Sequence, residues 1–118
     1  MINIITDTTE YTEIEKYLMT ISPSIESLKN VPDGEKIQVK KYMLFQDVKE
    51  NTGEEVEILS ILTPDNKVYS AQSATVKRSF RDIVSIMNGK PFTIIKISGK
   101  TKANRDFINC ILDVESIA

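Results

Sequence analysis

Lys36-Ile37-Gln38-Val39-Lys40-Lys41-Tyr42-Met43-Leu44-Phe45-Gln46-Asp47-Val48 is the stretch on which the fold turns. Ile37 and Val39 alternate with polar neighbours, the period of a half-buried strand. Lys40-Lys41 breaks that alternation, and Tyr42 to Phe45 follow as an unbroken apolar run. A long strand with an internal bulge accommodates both features, because a bulge changes the face each side chain takes and bends the strand as a small barrel requires. The orientation of Tyr42 and Phe45 stays open at this point. At least one residue of the run must point away from the main core, either exposed or covered by another part of the chain.

Downstream, Asn51-Thr52-Gly53 marks a turn, Val56 to Leu62 a second strand, and Thr63-Pro64-Asp65-Asn66 a second turn. Proline at its favoured position supports that turn, and Lys67-Val68-Tyr69-Ser70-Ala71 then makes a short third strand. Over residues 73–88 the spacing becomes helical, with Val76, Phe80, Ile83, Val84 and Met87 on one stripe, Ser73 as N-cap and Gly89 just past the end. After Pro91 come strands from Phe92 to Ile97 and from Phe107 to Val114, joined by a basic loop. Upstream, Ile14, Tyr17, Leu18 and Ile21 predict a helix over 9–21 capped by Thr8 or Thr9, with acids in its first turn. Ser22-Pro23 opens further helical turns through Leu28, ending before Val31-Pro32.

Strand, strand, strand, helix, strand, strand is the order of an OB-fold, although an α+β sheet with its helices on one face gives the same string. The expected class is mainly β with helices (α+β). The expected architecture is a five-stranded OB-like barrel over 33–118 with a helix between strands three and four, preceded by a helical segment over 1–32, all in one domain. If that segment is separable, deleting it leaves a folded core.

The chain of 118 residues has no histidine and a single cysteine, Cys110, which excludes the Ser-His and Cys-His pairs, an intramolecular disulfide and most transition-metal sites. No glycine-rich nucleotide fingerprint, P-loop or EF-hand loop is present. The expectation is a binding protein without enzymatic activity, cofactor or metal. Cys110 lies in an apolar run and reads as a small buried hydrophobe. No signal peptide or membrane span is apparent, so a cytoplasmic protein without a membrane partner is expected.

Charge is uneven although the net is only −2. Residues 1–35 hold seven acids against two lysines, a net of −5, whereas residues 66–105 hold nine lysines and arginines against Asp82 alone, a net of +8. The second block is a candidate phosphate-binding surface. The acidic third would dock a protein partner or compete with nucleic acid for the basic face.

If Thr93, Ile95 and Ile97 face the core with Ile108, Cys110, Leu112 and Val114, then Phe92, Lys96, Phe107 and Asn109 share an exposed face. Single-strand binders need that combination, because bases stack on aromatic planes while cations follow the phosphates. Lys100, Lys102 and Arg105 occupy the loop between the last two strands, where OB-folds commonly close over an oligonucleotide. The candidate contacts are therefore Lys40, Lys41, Tyr42, Phe45, Tyr69, Lys77, Arg78, Arg81, Phe92, Lys96, Lys100, Lys102, Arg105 and Phe107.

The stretch Thr63 to Ser70, the amphipathic helix after it, and the closing hairpin with Gly99-Lys100-Thr101-Lys102-Ala103-Asn104-Arg105-Asp106-Phe107 resemble the small single-stranded DNA-binding proteins of bacteriophages that infect Gram-positive bacteria. The likeness is one of layout over residues 36–114. It implies sequence-independent coating of single strands during phage DNA replication in the host cytoplasm. Single-stranded DNA is the expected partner, with RNA, a replication protein and a second copy of the chain left open. The alternative is a small protein-binding module, such as an inhibitor of a host enzyme, acting through the acidic N-terminal segment.

Overall fold

The computed structural model describes residues 2–4, 11–48 and 52–117. In chain order the elements are β1 (Ile2–Ile4), α1 (Glu13–Thr20), β2 (Glu26–Ser27), a 3-10 turn (Leu28–Asn30), β3 (Lys36–Val39), β4 (Lys41–Val48), β5 (Glu55–Leu62), β6 (Val68–Ala71), α2 (Ala74–Met87), β7 (Phe92–Lys100), β8 (Asp106–Leu112) and a closing 3-10 turn (Val114–Ile117). They form a five-stranded sheet ordered β1-β4-β5-β6-β2 and a three-stranded sheet ordered β3-β7-β8. No helix among the described residues is long and apolar enough to cross a membrane.

The two sheets meet at Lys40. Val39 pairs with Phe92 in one sheet and Lys41 with Leu62 in the other. Between them the Lys40 N–H donates to the Leu62 carbonyl at 2.8 Å. The irregularity expected in the first strand is thus a bend that divides it. Ile37 and Val39 face the main core before the bend, and Tyr42 and Leu44 face it afterwards. The extra residue reverses the parity of the strand.

Both faces of β4 are consequently covered. Leu44, Leu59, Ile61, Tyr69 and Ala71 pack with Val76, Phe80, Ile83 and Met87 of α2 and with Ile94 and Cys110 of the smaller sheet. On the other face Met43, Phe45, Leu62 and Val68 pack against Met19, with Leu18, Tyr11 and Ile25 at the margin. Of the alternatives open for the apolar run, coverage by the N-terminal segment is the one realised.

That segment departs from expectation in three respects. Its helix starts later than predicted, capped by Thr12, whose hydroxyl accepts the Glu15 N–H while the Glu15 carboxylate accepts the Thr12 N–H. Thr8 and Thr9 lie outside the described residues. Its buried side carries Glu15 and Met19, leaving Ile14, Tyr17 and Ile21 exposed. Lys41 sets this rotation by drawing Glu15 inward to 2.7 Å, while the Ser60 hydroxyl holds the Met19 carbonyl. Finally, Ser22-Pro23 opens turns rather than a helix, and Glu26–Ser27 pairs in parallel with Tyr69 and Ser70 of β6.

This last pairing explains why the expected closed barrel is absent. In an OB-fold the third strand's free edge takes the last strand, but here that edge of β6 holds β2. Among the described residues β8 pairs with β7 alone, and α2 packs against it instead. A crevice of about 540 Å³, walled by Ser27, Ser70 and Phe107, remains between β6 and β8.

The structure places α2 as expected. Ser73 caps it by accepting the Val76 N–H, and Asn88 (φ 50°) and Gly89 (φ 87°) end it in left-handed conformations. In β7, however, Phe92, Ile94 and Lys96 face inward, and Thr93, Ile95 and Ile97 do not. Pairing of Ile37 with Ile94 and of Val39 with Phe92 fixes that face, because directly opposed residues share a side. Ile108, Cys110 and Leu112 pack on the main core, whereas Val114 is exposed.

Burial pushes the Cys110 thiol up to about 11, so almost no thiolate exists at neutral pH. Iodoacetamide at pH 8 should leave Cys110 unmodified in the native chain and label it in denaturant. Met19, Leu28 and Val31 are fully or nearly fully buried. Deletion of residues 1–32 should therefore abolish the cooperative melt, and Met19→Ala should cost about 2–5 kcal/mol of stability. A truncated chain that still melts cooperatively would show the segment to be separable after all.

Candidate nucleic-acid interface

The bend at Lys40 directs Tyr42 toward α2. Its ring meets Phe80 edge-on, with centroids 5.3 Å apart, and Phe80 in turn meets Phe92 at 5.8 Å. The Tyr11 hydroxyl donates to the Tyr42 carbonyl at 2.5 Å and fixes the main chain there.

Two hollows share Tyr42, Val84 and Ser85. The larger, about 700 Å³, lies between the Lys40-Lys41 bend, Pro64 and the C-terminal end of α2 with Lys90. The smaller, about 220 Å³, is floored by Tyr42, Leu44, Leu59 and Phe80 and rimmed by Lys77 and Arg81. Together they make a trough along α2 with an aromatic floor and a basic rim. The crevice beside β8 touches the same helix at its cap, Ser73.

The rim cations differ in availability. Lys40 and Lys90 are exposed and have no ion pair among the described residues. Lys41 is held by Glu15 at 2.7 Å, and its ammonium, with the Thr12 N–H, keeps the Glu15 carboxyl below its ordinary value. Lys77 and Arg81 share Glu57 at 3.7 and 3.2 Å.

A second cluster occupies the tip of the β7–β8 hairpin. The Thr101 N–H donates to the Arg105 carbonyl and the Asn104 N–H to Thr101, each at 2.9 Å, with Asn104 left-handed at φ 62°. This turn exposes Lys100, Lys102 and Arg105. Lys100 lies 3.9 Å from Asp106, while Lys102 and Arg105 have no ion pair among the described residues. Phe107 is half-buried and lies across Gly99, where an added Cβ would come within 2.9 Å of the ring. Gly99 has no positive φ; the ring, not the backbone, requires its lack of a side chain.

Of the fourteen candidates, Lys40, Lys41, Tyr42, Lys77, Arg81 and Phe92 meet in the trough, although Phe92 is buried and contributes to its floor. Lys100, Lys102, Arg105 and Phe107 gather at the hairpin, and Arg78 is exposed on α2 without an ion pair among the described residues.

Three candidates are interior. Phe45 fills the core under α1, Tyr69 lies in the main core, where burial raises its hydroxyl pKa, and Lys96 is only 4% exposed. The Lys96 ammonium sits 3.0 Å from Asp33, which also accepts the Ser98 hydroxyl at 2.5 Å. The Ser98 and Lys96 bonds hold the Asp33 carboxyl below its ordinary range. The expected exposed face of Phe92, Lys96, Phe107 and Asn109 therefore does not exist, because β7 presents its other side. Lys90 and Phe80 were missed. Lys90 follows the Gly89 stop that the helix reading already located, and Phe80 read only as core.

The chain matches the Phi29-type phage single-stranded DNA-binding protein family over residues 2–113. It belongs to that family. No curated protein and no solved structure matches it. In this member of the phage single-stranded DNA-binding family, the matched residues include both basic clusters.

The Asp33–Lys96 pair gives an asymmetric expectation, because only the lysine is buried. Asp33→Ala strands an ammonium in the core, whereas Lys96→Met fills the same space without a charge. Thermal melts should show the larger loss for Asp33→Ala. The opposite order would mean that Lys96 reaches solvent. Asp33 has a depressed pKa, so its stabilisation is present above the unfolded-state value and declines as pH falls through the folded one. The gap between wild type and Asp33→Ala should accordingly narrow in acid.

Proposed function

We propose that this chain coats single-stranded DNA without regard to sequence, in support of phage DNA replication, and that the strand follows α2 past Tyr42. The observation that carries this reading is the trough itself: an aromatic floor joined to a rim of lysines and an arginine, in a member of a single-stranded DNA-binding family. A base stacks on an aromatic face whatever its identity, and cations that meet only phosphate carry no sequence information. Lys40, Lys90, Lys102 and Arg105, exposed without an ion pair among the described residues, are the first to meet phosphate. Phe107 at the hairpin supplies a second platform.

The competing idea, that the acidic N-terminal segment imitates nucleic acid, finds less support. Glu15 and Asp33, two of the seven acids of residues 1–35, are engaged with Lys41 and Lys96 and so already serve the fold.

A labelled dT oligomer, titrated at several salt concentrations, tests the reading. Affinity should fall with a log–log slope of about −0.7 for each phosphate neutralised. Replacing Lys100, Lys102 and Arg105 together by Ala should flatten that slope. Phe107→Ala should cost about 1–3 kcal/mol of affinity. Gly99→Ala, by displacing the ring, should reproduce much of that loss without adding to it in the double mutant. Absence of binding at low salt, or salt-independent binding, would refute the proposal.

A further inference from the structure

We propose that Glu57 is an internal competitor for phosphate, occupying Lys77 and Arg81 until a nucleic-acid strand displaces it. The inference rests on the trough being the single-strand site, and it names what regulates that site's affinity.

Glu57 lies in β5 opposite Gln46. Its Oε1 is 3.2 Å from Arg81 Nη2 and 3.7 Å from Lys77 Nζ. Lys77 and Arg81 stand one turn apart on α2 and so share a side of the helix. Both line the smaller hollow beside Tyr42, where a phosphate attached to a stacked base would have to lie. A single carboxylate oxygen therefore takes the place of a phosphate oxygen, presenting the same kind of acceptor to an ammonium and a guanidinium.

The contacts also indicate how the exchange proceeds. Lys77 Nζ donates to the Glu57 carbonyl at 3.2 Å, an anchor that does not involve the carboxylate. Lys77 can thus remain in position when the carboxylate leaves. Arg81 is more than half exposed and Glu57 about one-third exposed, so the carboxylate can turn out to water and gain hydration as the strand takes its place. Exchange of one anion for another gains less than filling an empty site, which keeps each contact weak, reversible and sensitive to salt. Glu15 at the Lys41 end differs: its carboxylate also completes the α1 cap. Among the described residues the Glu57 carboxylate bonds only the two trough cations.

The test is Glu57→Gln in the full chain, titrated with a labelled dT oligomer across salt concentrations beside the wild type. Loss of this partly exposed ion-pair partner should tighten binding about two- to fivefold at low salt. The log–log slope should stay close to the wild type's, because the same phosphates are neutralised once the carboxylate has left. In a Lys77→Gln, Arg81→Gln background the same change should have no effect. Should Glu57→Gln depress the melting point, Glu57→Asp, which keeps the charge but shortens its reach, should give an intermediate affinity. A salt-dependent wild type with an unchanged Glu57→Gln variant would overturn the competitor role while leaving the site reading intact. Weaker binding by Glu57→Gln would overturn it too, by making Glu57 a positioning residue for the two cations. A wild type that does not bind would remove the site itself.

Discussion

One residue of extra chain at Lys40 decides where everything else lies. Without it, β3 and β4 would continue as one strand of constant parity, and Tyr42 would share a face with Met43's present neighbours under α1. With it, Tyr42 and Leu44 join Ile37 and Val39 on the side of α2, and Met43 and Phe45 are left for a second cluster to cover. The bend therefore creates both the trough and the demand for an N-terminal segment. It also leaves Lys40 and Lys41 at the trough's mouth, where a strand of regular alternation would have placed one lysine on each face.

Among the described residues the acidic third meets the basic block in one ion pair, Asp33 with Lys96, and acids elsewhere in the chain cancel part of the remaining positive charge. Glu15 answers Lys41 and Asp33 answers Lys96, while outside the acidic third Asp113 answers Lys36 and Glu57 answers Lys77 and Arg81. The pairs fall in two classes. Lys96 and Glu15 are buried and fix the fold, because removing one partner strands the other. The Arg81–Glu57 pair is more exposed, is worth little to stability and is open to exchange. A count of charges along the chain cannot separate these classes, so the +8 block overstates the cations available to a ligand.

Much of the architecture was legible because it is written in local pattern. The order of the core elements, both ends of α2 and the two-sided character of Tyr42 to Phe45 follow from period, capping residues and an apolar run too long for one face. The face of β7 was not legible, since Thr93, Ile95 and Ile97 look as suited to a core as Phe92 and Ile94. Register against β3 decides between them, and register is a long-range property. Lys96 reads as a surface lysine until Asp33, 63 residues away, is brought to it. The unclosed barrel depends on a two-residue backbone pairing at Glu26–Ser27, which leaves no signature in side chains. Of the proposed site, the placing of the tyrosine and the two lysines together at the bend was legible for the same local reason as the strand itself.

Magnitudes then indicate which force dominates at such a surface. Tyr42 and Phe107 are the half-buried rings beside the two basic clusters. At about 1–3 kcal/mol per stacked base, two rings supply about 2–6 kcal/mol. Before any entropic loss is counted, that corresponds to a dissociation constant no tighter than the order of tens of micromolar. Coating a strand at lower concentrations then requires phosphate neutralisation for most of the remainder. The exposed cations Lys40, Arg78, Lys90, Lys102 and Arg105, spread over the bend, α2 and the hairpin, are placed to contribute it. On the proposed reading, a surface built this way would hold DNA through many weak, exchangeable contacts. Such contacts would suit the sequence-independent coating proposed above, from which a strand must later be released.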